Sequence, residues 1–258
     1  MTPEGATWEA APGLPNVYIT MLQTAENVAQ FMAVSREEQD EFAALSQQRA
    51  EAAQKAGFFA EEIVPVTTPS GTVVDSDDCP RHGTTAEKLA GLKPVLIEQM
   101  GARATVTAGN ACPLNDGAAA VIVMSDSRAR ELGIKPLARI VSTGVSALNP
   151  EIMGLGPVEA SKQALGRAGL GIQDIDLVEI NEAFAAQVIP SARELGIPVD
   201  KLNVNGGAIA LGHPFGQTGA RIMTTLIHNL QSRGGRYGLE TMCVGGGQGM
   251  AAVIERLD

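Results

Sequence analysis

Four short stretches hold residue types that chemistry uses. "GGAIALGHPFGQTGAR", residues 206–221, sets His213, one of three histidines, among glycines and directly before a proline. Glycines let a ligand approach the backbone closely, and Pro214 suits the start of a helix. The stretch is no phosphate loop, since neither GK[ST] nor a GxGxxG after a strand is present. His213 can serve as an acid or base, or be a packed residue in a tight turn. "MCVGGGQG", residues 242–249, puts Cys243 where a strand meets a glycine turn. A thiol there becomes reactive if a histidine or backbone dipoles lower its pKa from about 8.5, and is otherwise an inert buried cysteine. In "VEINEAFAAQ", residues 178–187, Asn181 and Glu182 fall at a strand-to-helix junction. Such junctions aim polar side chains at clefts in α/β folds, although capping a helix would equally account for Asn181. "TAGNACPLNDGAAA", residues 107–120, is a polar loop in which Cys112 lines a pocket or fills space.

The elements that must position these residues have an α/β texture from about residue 104 onward. Strands are expected at 117–124, 138–145, 175–180, 237–244 and 249–255, the last two joined as a hairpin through "VGGGQG". Helices are expected near 126–132, 157–168, 182–195 and 217–232. Earlier in the chain, Thr24 is placed to cap "AENVAQFM", whose Val28, Phe31 and Met32 share a face, and Ser35 with Glu38 forms a capping-box pattern for a helix ending near Gly57. Residues 58–103 read as a polar, turn-rich excursion with a short helix near 86–91, and residues 1–16 as an irregular lead-in.

Composition narrows the function classes. The chain has 258 residues, 45% of them apolar, a net charge of −10 and only 3% aromatics. A nucleic-acid binder needs a basic face and stacking aromatics, so no nucleic-acid partner is expected. No apolar run approaches the roughly 20 residues that span a bilayer, so no membrane partner is expected either. Cys79, Cys112 and Cys243 form neither a disulfide framework nor a zinc pattern, which suggests reduced thiols, no metal and a cytoplasmic setting.

Taken in order, "GNACPLNDGAAA", "NEAFA", "NVNGGAIALGHPFGQTGAR" and "CVGGGQGMA" resemble the signature blocks of the thiolase family, and "TAENVA", "SREEQD" and "RHGTT" resemble its loop domain. The resemblance implies a thiolase-type α/β fold, with an α-rich loop domain at 1–103, a remnant of the N-terminal domain at 104–136 and a βαβαβαββ-like C-terminal half at 137–258. It implies an acyltransferase acting on 3-ketoacyl-CoA and CoA, by thiolytic cleavage or the reverse Claisen condensation, with lipid degradation such as β-oxidation the preferred role of the two, coenzyme A as substrate and no separate cofactor.

The resemblance also assigns residues. His213 would activate the nucleophilic thiol and donate to a first oxyanion hole, and Asn181 would hold a water completing it. Cys243 would be the second, proton-transferring thiol, and Gly245 N–H would contribute to a second oxyanion hole. Arg81 would lie near the nucleotide end of CoA, with Met21, Ala108, Cys112 and Phe184 along the pantetheine and acyl path. A Cys-Ser-Gly type motif with the nucleophile is not found, so the expectation is a chain lacking the N-terminal half, working with an N-terminal thiolase polypeptide or as a homo-oligomer. The alternative is a non-catalytic CoA-binding or assembly module.

Overall fold

The computed structural model describes residues 12–257, so the expected lead-in at 1–16 falls largely outside the described residues. Helix α1, Met21–Phe31, begins earlier than expected. Thr20 caps it by accepting from Gln23 N at 3.3 Å, while Thr24 lies inside the helix and donates to Met21 O. Its buried stripe is Thr24, Ala25, Glu26, Val28 and Ala29, whereas Phe31 is 68% exposed. The small residues win that face because Val106 and Ala186 pack directly against Ala25 and Ala29.

Helix α2, Arg36–Lys55, opens with the expected capping box of Ser35 and Glu38. Its buried face mixes Ala43, Ala44, Ala50 and Ala53 with polar Gln39, Asp40, Ser46 and Gln47. Burying those polar groups is tolerable because each makes at least one hydrogen bond, Gln39 through its Nε2 to Thr105 Oγ1 at 3.0 Å. Asp40 takes Asn110 Nδ2 at 2.9 Å, Ser46 donates to Glu182 at 2.6 Å and Gln47 donates to Ile209 O at 3.1 Å. A polar helix thereby becomes a spine for three of the motif loops.

The excursion that follows holds a two-stranded ribbon, β1 Val66–Thr67 with β2 Val73–Val74, and the short helices α3 Ala86–Ala90 and α4 Ile97–Met100. It returns along residues 104–106, where fully buried Glu26 accepts from Thr105 N, Thr105 Oγ1 and Val106 N at 2.9–3.0 Å. Glu26→Ala would orphan two backbone N–H groups and a hydroxyl in the interior. A loss of about 3 kcal/mol in chemical denaturation is the expected result.

The strand expected over 117–124 does not form. Residues 112–125 run without regular secondary structure, with Leu114 at 99%, Ile122 at 87% and Val123 at 70% exposure. A strand exists only by hydrogen bonding to a neighbour, and the sheet, ordered β3-β6-β5-β4, lies elsewhere. From Asp126 the order is α5 Asp126–Glu131, β3 Ala138–Ala147, α6 Gly156–Ala168, β4 Leu177–Ile180, α7 Ala185–Leu195, α8 Ala208–Leu211, α9 Thr218–Arg233, β5 Tyr237–Val244 and β6 Gln248–Arg256. The C-terminal half expected as βαβαβαββ-like over 137–258 keeps its leading strand but, among the described residues, has no strand between α7 and α9, where only Leu202 bridges to Val178.

Strands β4 and β5 are parallel, and β5–β6 and β6–β3 antiparallel, with β5 and β6 forming the expected hairpin. Period-two alternation divides the sheet. Val178, Ile180, Leu239, Ala251 and Val253 pack with α6 and α7, and Leu177 and Ile254 pack with Leu226 and Leu230 of α9. Gly144 lets α6 lie flat on β3, since a Cβ there would stand 2.0 Å from Ala160 O. No described helix is long and apolar enough to cross a membrane.

Candidate active site

Because β4 and β5 run parallel in the register Ile180↔Thr241, their C-terminal ends share one rim of the sheet. Asn181 leaves β4 there, its N–H donating to Thr241 O at 3.0 Å, and Cys243 sits two residues beyond Thr241 on β5. Asn181 does not cap a helix. α7 starts at Ala185 with Phe184 at its N-cap position and no side-chain cap, and Asn181 Nδ2 instead meets His213 Nε2 at 3.2 Å. His213 reaches this rim from the loop after α8, a turn that Gly212 enters at φ +91°.

The ring's tautomer follows from its other partner. Thr218 Oγ1 donates to Pro214 O at 3.1 Å, so at its 2.7 Å contact with His213 Nδ1 it must accept. Nδ1 therefore carries the proton, and Nε2 presents its lone pair to Asn181. Burial, and then the charge of Arg221, push the His213 pKa down to about 4, which keeps the ring neutral near neutral pH. Phe215, 77% exposed, stands edge-on to the ring with centroids 5.0 Å apart. Asn181 Oδ1 is buried with no protein hydrogen-bond partner among the described residues.

Glu182 turns away from the rim. It is buried and accepts from Ser46 Oγ at 2.6 Å, Asn203 Nδ2 at 2.7 Å and Ile209 N at 3.1 Å, so it ties α2, the loop between α7 and α8, and α8 itself to the end of β4. Burial raises its pKa against those bonds. Of the two polar residues at the junction, Asn181 meets His213 and Glu182 holds the scaffold.

The thiols depart from the reading of an activated cysteine. All three cysteines are free. Cys112 lies beside the motif at β4, since its N–H donates to Ala183 O at 3.0 Å and Ala111 bridges to Phe184. Cys243 feels Cys112 electrostatically, which places the two in one neighbourhood. Desolvation pushes Cys112 up to about 11 and Cys243 to about 12, although each residue keeps some exposed surface. Both are poor thiolates, and a thiol-titrating disulfide reagent near neutral pH is expected to leave both largely unmodified over the time in which an exposed model thiol reacts fully. Fast labelling of Cys243 would contradict this.

The residues expected along a CoA path are brought together in part. Arg81 Nη1 donates to Ala108 O at 3.2 Å, and its own N–H donates to Gln47 of α2 at 2.7 Å. Phe184 packs with Ala111 against α1, and Met21 stands on the first turn of α1 at 37% exposure. Gly245 lies in the β5–β6 turn, where a Cβ on it would meet nothing within 4 Å, so its backbone is open to approach. Cys79 sits apart, in the acidic loop beside Asp77 and Asp78. Sequence reasoning missed Thr218 and Asn115, the groups that hold His213 by its ring and by its backbone N–H. Asn115, 98 positions away, gave no local signal.

Two family models match the chain: "Thiolase, N-terminal domain" over residues 12–127 and "Thiolase, C-terminal domain" over residues 134–256. The expectation of a chain that lacks the N-terminal domain is thereby corrected. Residues 12–103 of the expected loop domain and 104–127 of the expected remnant fall in the region matched as the N-terminal domain. Acetyl-CoA acetyltransferase from Allochromatium vinosum is 51% identical over 238 residues, covering 91% of this chain and 59% of the relative. The cytosolic acetyl-CoA acetyltransferase of Mus musculus is 50% identical over 236 residues, covering 90% of this chain and 59% of the relative. Among solved structures, Bacillus anthracis acetyl-CoA acetyltransferase superposes with a TM-score of 0.89 at 46% identity, over 94% of this chain and 62% of that one. Human mitochondrial 3-ketoacyl-CoA thiolase in complex with CoA superposes at 0.86 and 46% identity, over 93% and 60%. The chain thus spans about 59% of the length of these curated relatives.

Proposed function

The chain belongs to the thiolase family, and from that premise we propose that its site moves acyl groups between carbon and sulfur. The reaction is thiolytic cleavage of a 3-ketoacyl-CoA by CoA to acetyl-CoA and a shortened acyl-CoA, or the reverse Claisen condensation. The observation that carries the reading is the His213 ring, held by Thr218 with its Nε2 lone pair facing Asn181 on the rim that also bears Cys243.

In this reading His213 Nε2 takes the proton of an attacking thiol, and the ring, once protonated, donates to the thioester oxygen as negative charge builds there. Asn181 Oδ1 is suited to hold a water that completes this oxyanion hole, because it is buried without a protein donor. A preorganised donor of this kind contributes roughly 3 kcal/mol where deletion has been measured. Cys243 passes its proton to the departing acetyl-CoA carbanion, a step for which a thiol that stays protonated is suited, and the thiolate so formed takes a proton from incoming CoA. Gly245 N–H faces the second oxyanion. The CoA moiety follows Arg81, Ala108, Cys112 and Phe184, with Met21 flanking. Degradation of fatty acyl chains, a homo-oligomeric assembly and a cytoplasmic location complete the proposal, the last resting on three unpaired cysteines.

One observation favours a second reading, CoA binding without turnover: both thiols at the site are pushed well above neutrality. The deciding experiment adds acetoacetyl-CoA and CoA to the purified chain and follows loss of the ketoester absorbance, with calorimetric titration of CoA alone in parallel. Turnover that disappears in the His213→Ala chain supports acyl transfer. CoA binding with no turnover supports the binding module, and neither signal overturns both.

A further inference from the structure

The backbone that carries His213 rests on a segment far away in sequence, and three consecutive contacts make that rest specific. Gly212 lies so close to Asn115 that a Cβ on it would stand 2.3 Å from Asn115 Oδ1. The N–H of His213 donates to the same Oδ1 at 3.1 Å. Pro214 lies against Gly117, where a Cβ would stand 2.5 Å from the Pro214 ring. Residues 212, 213 and 214 are thus each seated on residues 115–117. The seat belongs to the stretch matched as the N-terminal domain and the seated loop to the stretch matched as the C-terminal domain.

The contact answers a local need. α8 ends at Leu211, Gly212 N–H closes the last turn onto Ala208 O at 2.8 Å, and the chain then swings out of the helix. His213 N–H is the first group past that end without a helical acceptor, in a part-buried place where an unpaired donor is costly. Asn115 supplies the acceptor and orients its amide by donating Nδ2 to Asp116 O at 2.9 Å. Thr218 then fixes how the ring turns, but only after the backbone has been placed.

The geometry points to Asn115 as a positioning residue: its Oδ1, by holding His213 N–H, sets the backbone position from which Nε2 meets Asn181. This rests on the reading of His213 as the proton acceptor of the proposed reaction only for its catalytic consequence. The structural claim is testable without turnover.

The test uses the full chain and reads the His213 ring by nitrogen-15 and proton NMR across a pH series, assigned by comparison with a His213→Gln chain. Asn115→Leu keeps the volume and removes the acceptor, and Asn115→Asp restores an acceptor of the same reach. In Asn115→Leu the ring is expected to lose its single Nδ1–H tautomer signature, and its proton affinity to rise about ten-fold or more as hydration returns. Asn115→Asp is expected to keep the single tautomer. Where turnover is measurable, Asn115→Leu should lower kcat by about ten-fold or more while leaving CoA affinity within about two-fold, with partial rescue by aspartate. A His213 tautomer and titration unmoved in Asn115→Leu overturn the proposal whatever the activity shows. If Asn115→Leu does not fold, Gly117→Ala, which presses on Pro214 from the same seat, must shift the His213 ring signals; unshifted signals there overturn it too. A moved ring with no effect on turnover would count against the acyl-transfer reading and leave the positioning claim standing.

Discussion

His213→Ala is expected to reduce acyl-transfer turnover by about 10³-fold, within the 10²–10⁴-fold range that a positioned acid–base group contributes. The expectation follows from three facts about one ring. Its Nδ1 proton is held by Thr218, its Nε2 lone pair is turned to Asn181, and burial together with Arg221 brings its pKa to about 4. A ring that titrates so low is neutral at physiological pH, so its acceptor nitrogen, bonded only to the Asn181 amide, is unprotonated. It is also a weak base, so accepting a thiol proton depends on the anion formed beside it: a thiolate in contact offsets much of the cost of a buried imidazolium. The acid limb of a kcat/KM profile is accordingly expected well below the ordinary histidine value, near the pKa of about 4. His213→Gln, which keeps a polar group beside Asn181 without basicity, should be nearly as inactive as His213→Ala. A glutamine chain retaining more than about a tenth of the turnover would remove proton transfer from the role of this residue.

What the sequence revealed of this site was local, and what it hid was distant. Asn181, His213 and Cys243 each stand beside a strand end or a glycine turn, and such boundaries are written in neighbouring residues. Their meeting on one rim follows from β4 and β5 being parallel, and pattern alone does not determine that pairing. Glu182 looked like a site residue because it adjoins Asn181, but the chain turns between them and its carboxylate faces Ser46 and Asn203. The stretch "GAAAVIVM" has the composition of a core strand and lies exposed, since composition states a preference for burial and cannot supply the partner. For Cys243 the sequence leaves both a reactive and a buried thiol open, because the packing that desolvates it comes from elements remote in sequence. The expected absence of an N-terminal half rested on a missing short motif, and the match of residues 12–127 shows that one motif is a poor measure of a domain.

The protein is expected to lose stability as pH rises from about 6.5 to about 8.5, against the common pattern of a maximum spanning neutrality. Glu179 of β4 and Glu240 of β5 are register partners on neighbouring strands, so both project toward α9, where Arg221 is the nearby cation. Burial raises each to about 8, and raises Glu62, bonded to Thr225 of α9, to about 7. Arg221 lowers all three without overcoming desolvation, and its terminal nitrogens are buried without hydrogen-bond partners among the described residues. A carboxyl whose folded pKa exceeds its unfolded value binds its proton more tightly when folded. Its favourable contribution is complete below the unfolded value and declines as pH rises through the folded one. Between the ordinary carboxylate range and pH 6.5 the opposite slope of His213 and His228, both depressed by burial, offsets part of this. As pH rises from 6.5 through about 7.5 the unfolded histidines shed the last of their protons and this opposing slope fades, and above that the three carboxyls outweigh it fully. Below the carboxylate range, loss of the Glu255 ion pairs with Arg236 and Arg139 adds destabilisation of the usual acid kind. Urea denaturation in steps across pH 6.5 to 8.5 should show the midpoint falling steadily, and Glu240→Gln should flatten the slope because an amide has no proton to lose. A midpoint that holds level or climbs across that window would mean that these carboxyls are ionised in the folded protein and that Arg221 neutralises them after all.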